Sequence, residues 1–250
     1  MSKIVFITGA TAGFGKAMAE RYAAEGWKII VTGRREERLE ELKKELAPAQ
    51  VHTICFDVRD RQAASAAVAN LPAEFADIDV LVNNAGLALG VEPANDCDLD
   101  EWECMVDTNI KGLLYITKAV LAGMVERNCG HIVNLGSVAG TYPYPGGNTY
   151  GATKAFVKQF SLNLLADLLG TKIRVTNIEP GLCESEFSVV RFRGDKSKAD
   201  SVYAGTEPIT PKDIAEIIHW VTTMPAHINI NSLEVMPVDQ AFAPFAINRD

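Results

Sequence analysis

The chain has 250 residues, 48% of them hydrophobic and 22% charged, with a formal net charge of -8, and this is enough apolar material for one domain with a full core. Because it is acidic and has no cluster of basic residues, the composition argues against a nucleic-acid surface, which needs lysines and arginines to displace counterions. No apolar run approaches the roughly 20 residues that span a bilayer, and the N-terminus lacks a signal-peptide core, so we expect a cytoplasmic protein with neither membrane nor nucleic-acid partners.

The hydrophobic pattern alternates short apolar runs with longer segments of helical periodicity. The predicted strands are Ile4–Ile7, Ile29–Val31, Val51–Phe56, Val80–Val82, His131–Leu135, Ile173–Ile178 and Leu233–Val235. The predicted helices between them are Lys16–Glu25, Glu36–Ala47, Arg61–Leu71, Leu99–Arg127, Tyr150–Leu169 and Pro211–Met224. Continuous apolar strands are covered on both faces, and strict alternation favours parallel strands with right-handed crossovers. The sequence therefore predicts one doubly wound, Rossmann-type α/β domain over residues 1–250, with a parallel seven-stranded sheet and helices on both faces.

A glycine-rich segment follows the first predicted strand and opens the first helix. It reads Thr8-Gly9-Ala10-Thr11-Ala12-Gly13-Phe14-Gly15. Glycines permit a tight turn and close backbone approach, and a helix N-terminus offers free N–H groups to a pyrophosphate. We predict that the loop binds a dinucleotide through Gly9, Thr11, Gly13, Phe14 and Gly15. A purely structural turn is the alternative.

The second predicted strand ends in two arginines, Arg34 and Arg35. An acidic residue at this place would bind a ribose 2′-hydroxyl, whereas an arginine binds a 2′-phosphate through paired charge-assisted hydrogen bonds. These residues therefore predict NADP(H) rather than NAD(H). The alternative is that both arginines only flank the helix at Glu36–Ala47, although a cation there opposes the helix dipole.

Further short motifs follow the later predicted strands and open the later helices. They are Asn83-Asn84-Ala85-Gly86, Asn109, Gly136-Ser137, Tyr150-Gly151-Ala152-Thr153-Lys154 and Pro180-Gly181. With the glycine spacing G-x-x-x-G-x-G, this ordered set resembles the short-chain dehydrogenase/reductase family along nearly the whole chain. The resemblance implies further cofactor contacts from Asp57, Val58, Asn84, Ala85, Gly86, Tyr150, Lys154, Pro180, Gly181 and Ser185. For Asp57, capping of the helix that follows it is the alternative.

Tyr150 and Lys154 lie one helical turn apart, so both side chains rise from one helix face. A free phenol, with a pKa of about 10, is a poor base at neutral pH, and a nearby ammonium favours its phenolate form. Tyr150 is the predicted proton donor and acceptor, and Ser137 the predicted hydrogen-bond donor to the substrate oxygen. The resemblance implies that Lys154 contacts the nicotinamide ribose and that Asn109 supports a water-linked proton path to it. A solvated Tyr–Lys pair is the alternative.

The segment from Pro180 to about Pro211 shows no regular pattern, and we predict a substrate lid at about residues 181–210. Arg191 and Arg193 within it are candidates for holding a carboxylate or a sulfonate, with two solvated arginines as the alternative. The stretches 83–90, 150–161 and 225–231 are most similar to the family branch of NADP-dependent 3-hydroxy acid dehydrogenases acting on serine and allo-threonine. The C-terminal residues 244–250 are similar to sulfoacetaldehyde reductases. The resemblance implies a small anionic hydroxy acid, aldehyde or sulfonate as substrate.

The five cysteines and four histidines lack disulfide and metal-ligand spacing, so no metal is predicted. Cys55 and Cys129 adjoin apolar stretches, which predicts thiols in or near the core. The apolar tail at Ala241–Ile247 predicts a contact between subunits, and the resemblance implies a homotetramer; a tail folded on its own core is the alternative.

Two other functions share parts of this pattern. A non-catalytic NADP-binding sensor would keep the glycine loop but lack one of Ser137, Tyr150 and Lys154, and all three are present. A nucleotide-sugar epimerase or dehydratase would share the Tyr–Lys pair but needs a larger C-terminal substrate domain. The predicted function is therefore interconversion of a small anionic hydroxy compound and its carbonyl form by hydride transfer.

Overall fold

The computed structural model describes residues 2–241. The strands are β1 (Ile4–Ile7), β2 (Lys28–Gly33), β3 (Val51–Cys55), β4 (Val80–Asn83), β5 (Gly130–Leu135), β6 (Ile173–Pro180) and β7 (Ser232–Val235). The α-helices are α1 (Gly13–Ala24), α2 (Glu36–Glu45), α3 (Arg61–Ala69), α4 (Leu99–Val106), α5 (Leu113–Arg127), α6 (Asn148–Asp167), α7 (Glu186–Arg191), α8 (Lys196–Ser201) and α9 (Pro211–Thr223). All strands pair in parallel in the order β3-β2-β1-β4-β5-β6-β7. The predicted α/β architecture is confirmed.

Both faces of the sheet are covered by helices, and β1 shows why. All four of its residues are buried, with Val5 and Ile7 in one core cluster and Ile4 and Phe6 in another. The first cluster includes residues of α1, α2 and α9, and the second includes residues of α3, α5 and α6. Side chains alternate between the faces of a strand, so a strand that is apolar at every position needs a helical layer on each side.

The strand order reverses at β1, which pairs with β2 on one side and with β4 on the other. The crossovers that leave β1 and β4 therefore diverge and leave a crevice between them. In open α/β sheets, ligands bind at such a reversal, outside the carboxyl ends of the strands. The glycine-rich loop after β1 and the Asn84 turn after β4 meet at this crevice.

The predicted helix at Leu99–Arg127 is interrupted by a π-helical turn at Asp107–Gly112, between α4 and α5. Thr108, Asn109 and Gly112 are buried in this turn. The residues on each side of the turn keep their own helical periodicity, so the sequence pattern does not reveal the offset that a π-helical turn introduces between them. Such turns are frequent at functional sites.

The segment that the sequence pattern left irregular contains two short helices, α7 and α8. Ser185 caps α7 by accepting a hydrogen bond from the Phe187 N–H, and Asp195 caps α8 through the Lys198 N–H. Each helix has six residues, which is fewer than two turns. Helices this short carry too little periodicity to be recognised in a sequence.

The prediction of near-core thiols at Cys55 and Cys129 is wrong, because both side chains are exposed. Cys55 ends β3, an edge strand of the sheet, and Cys129 lies in the turn between α5 and β5. Ile54 and Phe56, the apolar neighbours of Cys55, are only partly buried, so an apolar neighbourhood in sequence does not place the thiol in the core.

None of the helices between residues 2 and 241 is long and apolar enough to cross a membrane. Within the same range, no group of three or more histidine, cysteine, aspartate or glutamate side chains is arranged to hold a metal ion. The predicted subunit contact of the tail at Ala241–Ile247 falls, after Ala241, outside the described residues.

Candidate active site

A cavity of about 630 Å³ opens at the carboxyl ends of the central strands. The segment 181–210 forms one of its walls. The cavity is lined by predicted site residues Gly9, Thr11, Gly13, Phe14, Arg34, Arg35, Asp57, Val58, Asn84, Ala85, Gly86, Ser137, Tyr150, Lys154, Pro180, Gly181, Ser185 and Arg191. Three other predicted residues, Gly15, Asn109 and Arg193, lie outside this lining.

The glycine-rich loop forms an open cradle at one end of the cavity. Gly9 and Gly13 have φ angles of 69° and 53°, in the left-handed region that favours glycine. A Cβ atom on Gly15 would lie 2.7 Å from the Cα atom of Ala10, so a larger residue does not fit there. Ala12, which precedes α1, makes no side-chain cap, so N–H groups of the first turn remain available to an anion. This cradle fits the pyrophosphate of a dinucleotide.

Two arginines and a carboxylate meet beside this loop, at the end of β2. Arg35 donates hydrogen bonds to the Thr11 hydroxyl at 2.7 and 3.1 Å and to Glu186 at 3.2 Å. Arg38, in the first turn of α2, donates to the two carboxylate oxygens of Glu186 at 2.9 and 3.1 Å. Arg35 makes no side-chain cap to α2. Its guanidinium serves the loop and the segment 181–210, not the helix.

Asp57 and Val58 follow β3 and line the same end of the cavity. Arg59 donates to Asp57 at 2.6 Å, and this bond, helped by Arg34 at 3.8 Å, holds the pKa of Asp57 below its ordinary value. The carboxylate of Asp60 accepts hydrogen bonds from two backbone N–H groups at the start of α3. The alternative that Asp57 caps this helix is therefore wrong, and its carboxylate is instead paired with Arg59 at the edge of the cavity.

The turns after β1 and β4 are tied together by hydrogen bonds. The Asn84 side chain donates to the carbonyl oxygens of Thr8 and Gly9 at 2.8 and 3.0 Å. The Thr8 hydroxyl accepts from the N–H groups of Asn84 and Ala85 at 3.0 and 2.9 Å. These bonds fix the position of Ala85 and Gly86 in the cavity wall.

Tyr150, Lys154 and Ser137 lie at the other end of the cavity, around the end of β5. The Lys154 ammonium is 5.8 Å from the centre of the Tyr150 ring, and it donates to the carbonyl oxygen of Leu135 at 2.6 Å. The Ser137 hydroxyl donates to the carbonyl oxygen of Pro180 at 3.4 Å. α6 therefore presents the phenol and the ammonium on one face, with the serine hydroxyl from β5 beside them.

Burial is the main cause of the pKa shifts of Tyr150 and Lys154. Desolvation raises the pKa of Tyr150, and a hydrogen bond from Ser137 partly opposes the rise. Desolvation also lowers the pKa of Lys154 from 10.5 to about 8. The sequence led us to expect that the ammonium lowers the pKa of the phenol. In the structure burial is the largest influence on the phenol and raises its pKa, so at neutral pH the phenol is protonated and can donate its proton.

Asn109 lies in the π-helical turn, behind the cavity wall. Its carboxamide oxygen accepts from the Leu87 N–H at 2.9 Å, and its nitrogen donates to the Leu87 carbonyl oxygen at 2.8 Å and to Thr153 at 3.0 Å. A Cβ atom on Gly86 would lie 3.2 Å from this oxygen and 3.5 Å from Lys154 Nζ. Asn109 and Lys154 thus both lie against Gly86.

Pro180 and Gly181 end β6 and lead into the segment 181–210. A Cβ atom on Gly181 would overlap the side chain of Gln240, which accepts a hydrogen bond from the Leu182 N–H at 2.7 Å. Ser185 reaches back to the glycine-rich loop, since a Cβ atom on Gly13 would lie 3.6 Å from its own. The segment therefore lies against the cradle at its beginning.

Arg191, the last residue of α7, lines the cavity near the phenol. It donates to the Tyr144 hydroxyl at 2.9 Å and to the carbonyl oxygen of Gly90 at 3.2 Å. Its guanidinium lies 5.8 Å from the centre of the Tyr150 ring. One positive charge thus stands beside the predicted proton donor.

Arg193 lies away from the cavity and pairs with acidic side chains. It donates to Glu101 at 2.6 and 2.8 Å and to Glu92 at 2.7 Å. Its side chain is 50% exposed. The structure therefore separates the two arginines that the sequence placed together as candidates, and only Arg191 is in a position to meet a molecule in the cavity.

Four residues of the site had no clear sign in the sequence: Thr8, Arg38, Tyr144 and Glu186. Arg38 is three residues after Arg35, the spacing that puts two helical side chains on one face, and this could have suggested it. Glu186 contacts Arg38 across 148 residues of sequence, which no local pattern reveals.

The fold and the site together define a dinucleotide-dependent oxidoreductase of the short-chain type. The chain matches the family model of the short chain dehydrogenases over residues 3–195. It belongs to the short-chain dehydrogenase/reductase family, as its motifs predicted.

Two individual proteins and one solved structure are also similar to this chain. An NADP-dependent 3-hydroxy acid dehydrogenase of Salmonella typhi is 60% identical over 98% of this chain and 99% of its own. Sulfoacetaldehyde reductase 2 of Chromohalobacter salexigens is 54% identical over the full length of both chains. A solved structure described as the closed form of serine dehydrogenase complexed with NADP+ is 58% identical, with a TM-score of 0.97, and covers 99% of this chain and 100% of its own.

Proposed function

We propose that the chain is an NADP(H)-dependent oxidoreductase that interconverts a small 3-hydroxy acid, such as serine, allo-threonine or 3-hydroxypropionate, and its carbonyl form. The observation that carries this proposal is the single cavity, with the glycine cradle and Arg35 at one end and Tyr150, Lys154 and Ser137 at the other. The 3-hydroxy acid dehydrogenase at 60% identity supports both the cofactor and the substrate class.

The cradle and the strand ends are proposed to hold the cofactor. Its pyrophosphate would lie on the N-terminus of α1, its 2′-phosphate beside Arg34 and Arg35, and its adenine beside Asp57 and Val58. The remaining proposed contacts are Asn84, Ala85, Gly86, Tyr150, Lys154, Pro180, Gly181 and Ser185. The bound dinucleotide supplies or accepts the hydride at its nicotinamide ring.

Tyr150 is proposed to transfer the proton. In reduction, its neutral phenol gives a proton to the oxygen that was the carbonyl oxygen, and in oxidation it takes the hydroxyl proton. Ser137 donates a hydrogen bond to the same oxygen and so stabilises developing negative charge. Lys154 favours the phenolate that remains, and Asn109 connects Lys154 to a water-linked proton path. A protonated Tyr150 suits the reductive direction at neutral pH.

Arg191 is proposed to bind the anionic end of the substrate. Its guanidinium lies at the reacting end of the cavity, 5.8 Å from the Tyr150 ring centre. A planar guanidinium can donate two parallel hydrogen bonds to a carboxylate, which fixes the orientation of a small acid. Sulfoacetaldehyde, which gives isethionate on reduction, is the second candidate, because the relative at 54% identity is named for it and a sulfonate presents the same oxygens.

Turnover of serine, 3-hydroxypropionate, isethionate and sulfoacetaldehyde should be measured with NADP(H) and with NAD(H), for the wild type and for Arg191→Gln. We expect kcat/KM for the preferred anion to fall about 10- to 100-fold in Arg191→Gln, because a charge-assisted pair is lost. Turnover of the uncharged 1,3-propanediol should change little.

Arg193→Gln is the matched control for this variant, because it removes the same charge two residues away and outside the cavity. It should leave the kcat/KM for the anion within a few fold of wild type. Equal losses in both variants would contradict the role of Arg191, and faster turnover with NADH than with NADPH would contradict the cofactor assignment.

Homotetrameric assembly and a cytoplasmic location are part of the same proposal. An apolar groove that includes Leu114, Tyr115, Leu121, Phe160 and Leu164 supports packing against a second subunit. The molar mass in solution would test the assembly.

A further inference from the structure

We propose that Glu186 is a cofactor-specificity residue, whose carboxylate occupies Arg35, one of the two arginines proposed to bind the 2′-phosphate of NADP(H), together with the neighbouring Arg38, so that the phosphorylated dinucleotide binds by displacing it. The inference rests on the proposed NADP(H) function. It concerns a residue at the first position of α7, outside the catalytic group.

The contacts show an anion already held at this place. Glu186 accepts hydrogen bonds from Arg35 at 3.2 Å and from Arg38 at 2.9 and 3.1 Å. Arg35 is also fixed by two hydrogen bonds to Thr11, in the glycine-rich loop. The guanidinium groups of Arg38, in α2, and of Arg35, which directly precedes α2, therefore converge on one carboxylate next to the cradle.

A phosphate that approaches these arginines meets Glu186 as a competitor. Both are anions that use oxygen acceptors in the same geometry, so they compete for the same N–H donors. The carboxylate would also repel a nearby phosphate. NAD(H) has a neutral 2′-hydroxyl, so this competition and repulsion act on NADP(H) alone.

The size of the expected change in NADPH affinity follows from the solvent exposure of these three side chains. The side chain of Glu186 is 49% exposed, and those of Arg35 and Arg38 are 45% and 43% exposed. Solvent and salt screen charges in such positions, so removal of the carboxylate is expected to change affinity by about two- to fivefold, not by orders of magnitude.

Glu186 also belongs to a helix that contacts both ends of the cavity. α7 begins at Glu186 and ends at Arg191, and Phe187 packs against Tyr150 with ring centres 5.5 Å apart. Release of Glu186 from the arginines therefore removes one of the contacts at the start of the helix that carries the proposed substrate-binding guanidinium. A single short helix contacts both the 2′-phosphate position and the reacting end.

The experiment measures dissociation constants for NADPH and NADH by fluorescence titration without substrate. The proteins compared are the wild type, Glu186→Gln and the control Glu184→Gln. Glu184 is exposed, lies two residues away and outside the cavity lining, and loses the same charge. Glu186→Gln should bind NADPH about two- to fivefold more tightly and NADH unchanged, with a smaller effect in about 0.5 M salt. Glu184→Gln should match the wild type.

Unchanged or weaker NADPH binding in Glu186→Gln, with a wild type that still prefers NADPH, would overturn this inference alone. An equal gain for NADH, or the same gain in Glu184→Gln, would also overturn it. A wild type that prefers NADH would overturn the proposed cofactor as well. Circular dichroism and thermal melting of both variants confirm that the folded proteins are compared.

Discussion

The strand ends and the segment 181–210 face each other across one cavity, but they are held in place by different forces. Tyr150 and Lys154 are buried, and the Lys154 ammonium has a backbone partner at 2.6 Å. Glu186 and Arg193 form ion pairs and are themselves about half exposed, at 49% and 50%. Packing fixes the strand ends, whereas in the segment screened ion pairs act beside the packing of Phe187 against Tyr150.

The reacting groups and the residues of the segment that contact the cofactor or the substrate therefore differ in their surroundings. Groups that need a fixed geometry and a dry environment belong to the strand ends, where small errors in position are costly. Glu186 and Arg191, which are proposed to modulate NADP(H) binding and to bind the anion of the substrate, lie in α7 of the segment. Substitutions that break the exposed ion pairs of the segment should therefore have smaller effects than substitutions of the buried groups at the strand ends, and the following tests compare the two.

Tyr150→Phe should have the largest effect. It removes one oxygen from a buried ring and leaves the packing against Phe187 in place. We expect kcat to fall about 10²- to 10⁴-fold, which is the usual contribution of a positioned proton donor. The dissociation constant for NADPH should stay within a few fold of wild type.

Steady-state rates and a fluorescence titration of the same preparation test this prediction. Ser137→Ala is the companion variant, since it removes a hydrogen-bond donor to the same oxygen and leaves the phenol. Residual activity of Tyr150→Phe within tenfold of wild type would mean that another group transfers the proton.

Lys154 should make the free energy of unfolding depend on pH, an effect smaller than the loss of activity expected for Tyr150→Phe. Its pKa is lowered by burial from 10.5 to about 8, so between these values the unfolded chain binds a proton that the folded chain has released. The free energy of unfolding therefore rises with pH in this window, by up to about 1.4 kcal/mol per unit. Tyr150, whose pKa is raised from 10.0, has the opposite effect above pH 10.

Urea denaturation between about pH 7 and about pH 10 should show this rise as a difference from Lys154→Met, in which all other titrating groups are unchanged. Relative to that variant, we expect the wild type to gain about 2 kcal/mol over the interval from pH 8 to pH 10. Parallel curves for the two proteins would show that Lys154 keeps its proton in the folded chain.

The sequence predicted the strand ends well because their signals are local. A continuous apolar run, a glycine loop and a Tyr–Lys pair one turn apart each depend on neighbouring residues, and the sheet then brings the strand ends together. Even there, the periodicity of Leu99–Arg127 did not show the π-helical turn that carries Asn109, because the residues on each side of the turn keep their own helical periodicity.

Contacts of the segment 181–210 were not predictable in the same way. Arg193 and Glu101 are 92 residues apart, and Arg38 and Glu186 are 148 apart. Charged residues are compatible with solvent, so their spacing does not indicate which partner they choose. The sequence accordingly offered Arg191 and Arg193 as equivalent candidates, and their surroundings distinguish them.

Arg193→Gln should have the smallest effect of these substitutions. Arg193 bonds to two glutamates, and the bond to Glu92 holds the pKa of that carboxyl at about 2. Because the arginine is 50% exposed, we expect a loss of less than about 1 kcal/mol in the free energy of unfolding, reduced further by salt. Urea denaturation at low and high salt measures it. A loss of about 3 kcal/mol or more that salt does not diminish would mean that this pair behaves as a buried one, and that the segment is fixed as firmly as the strand ends.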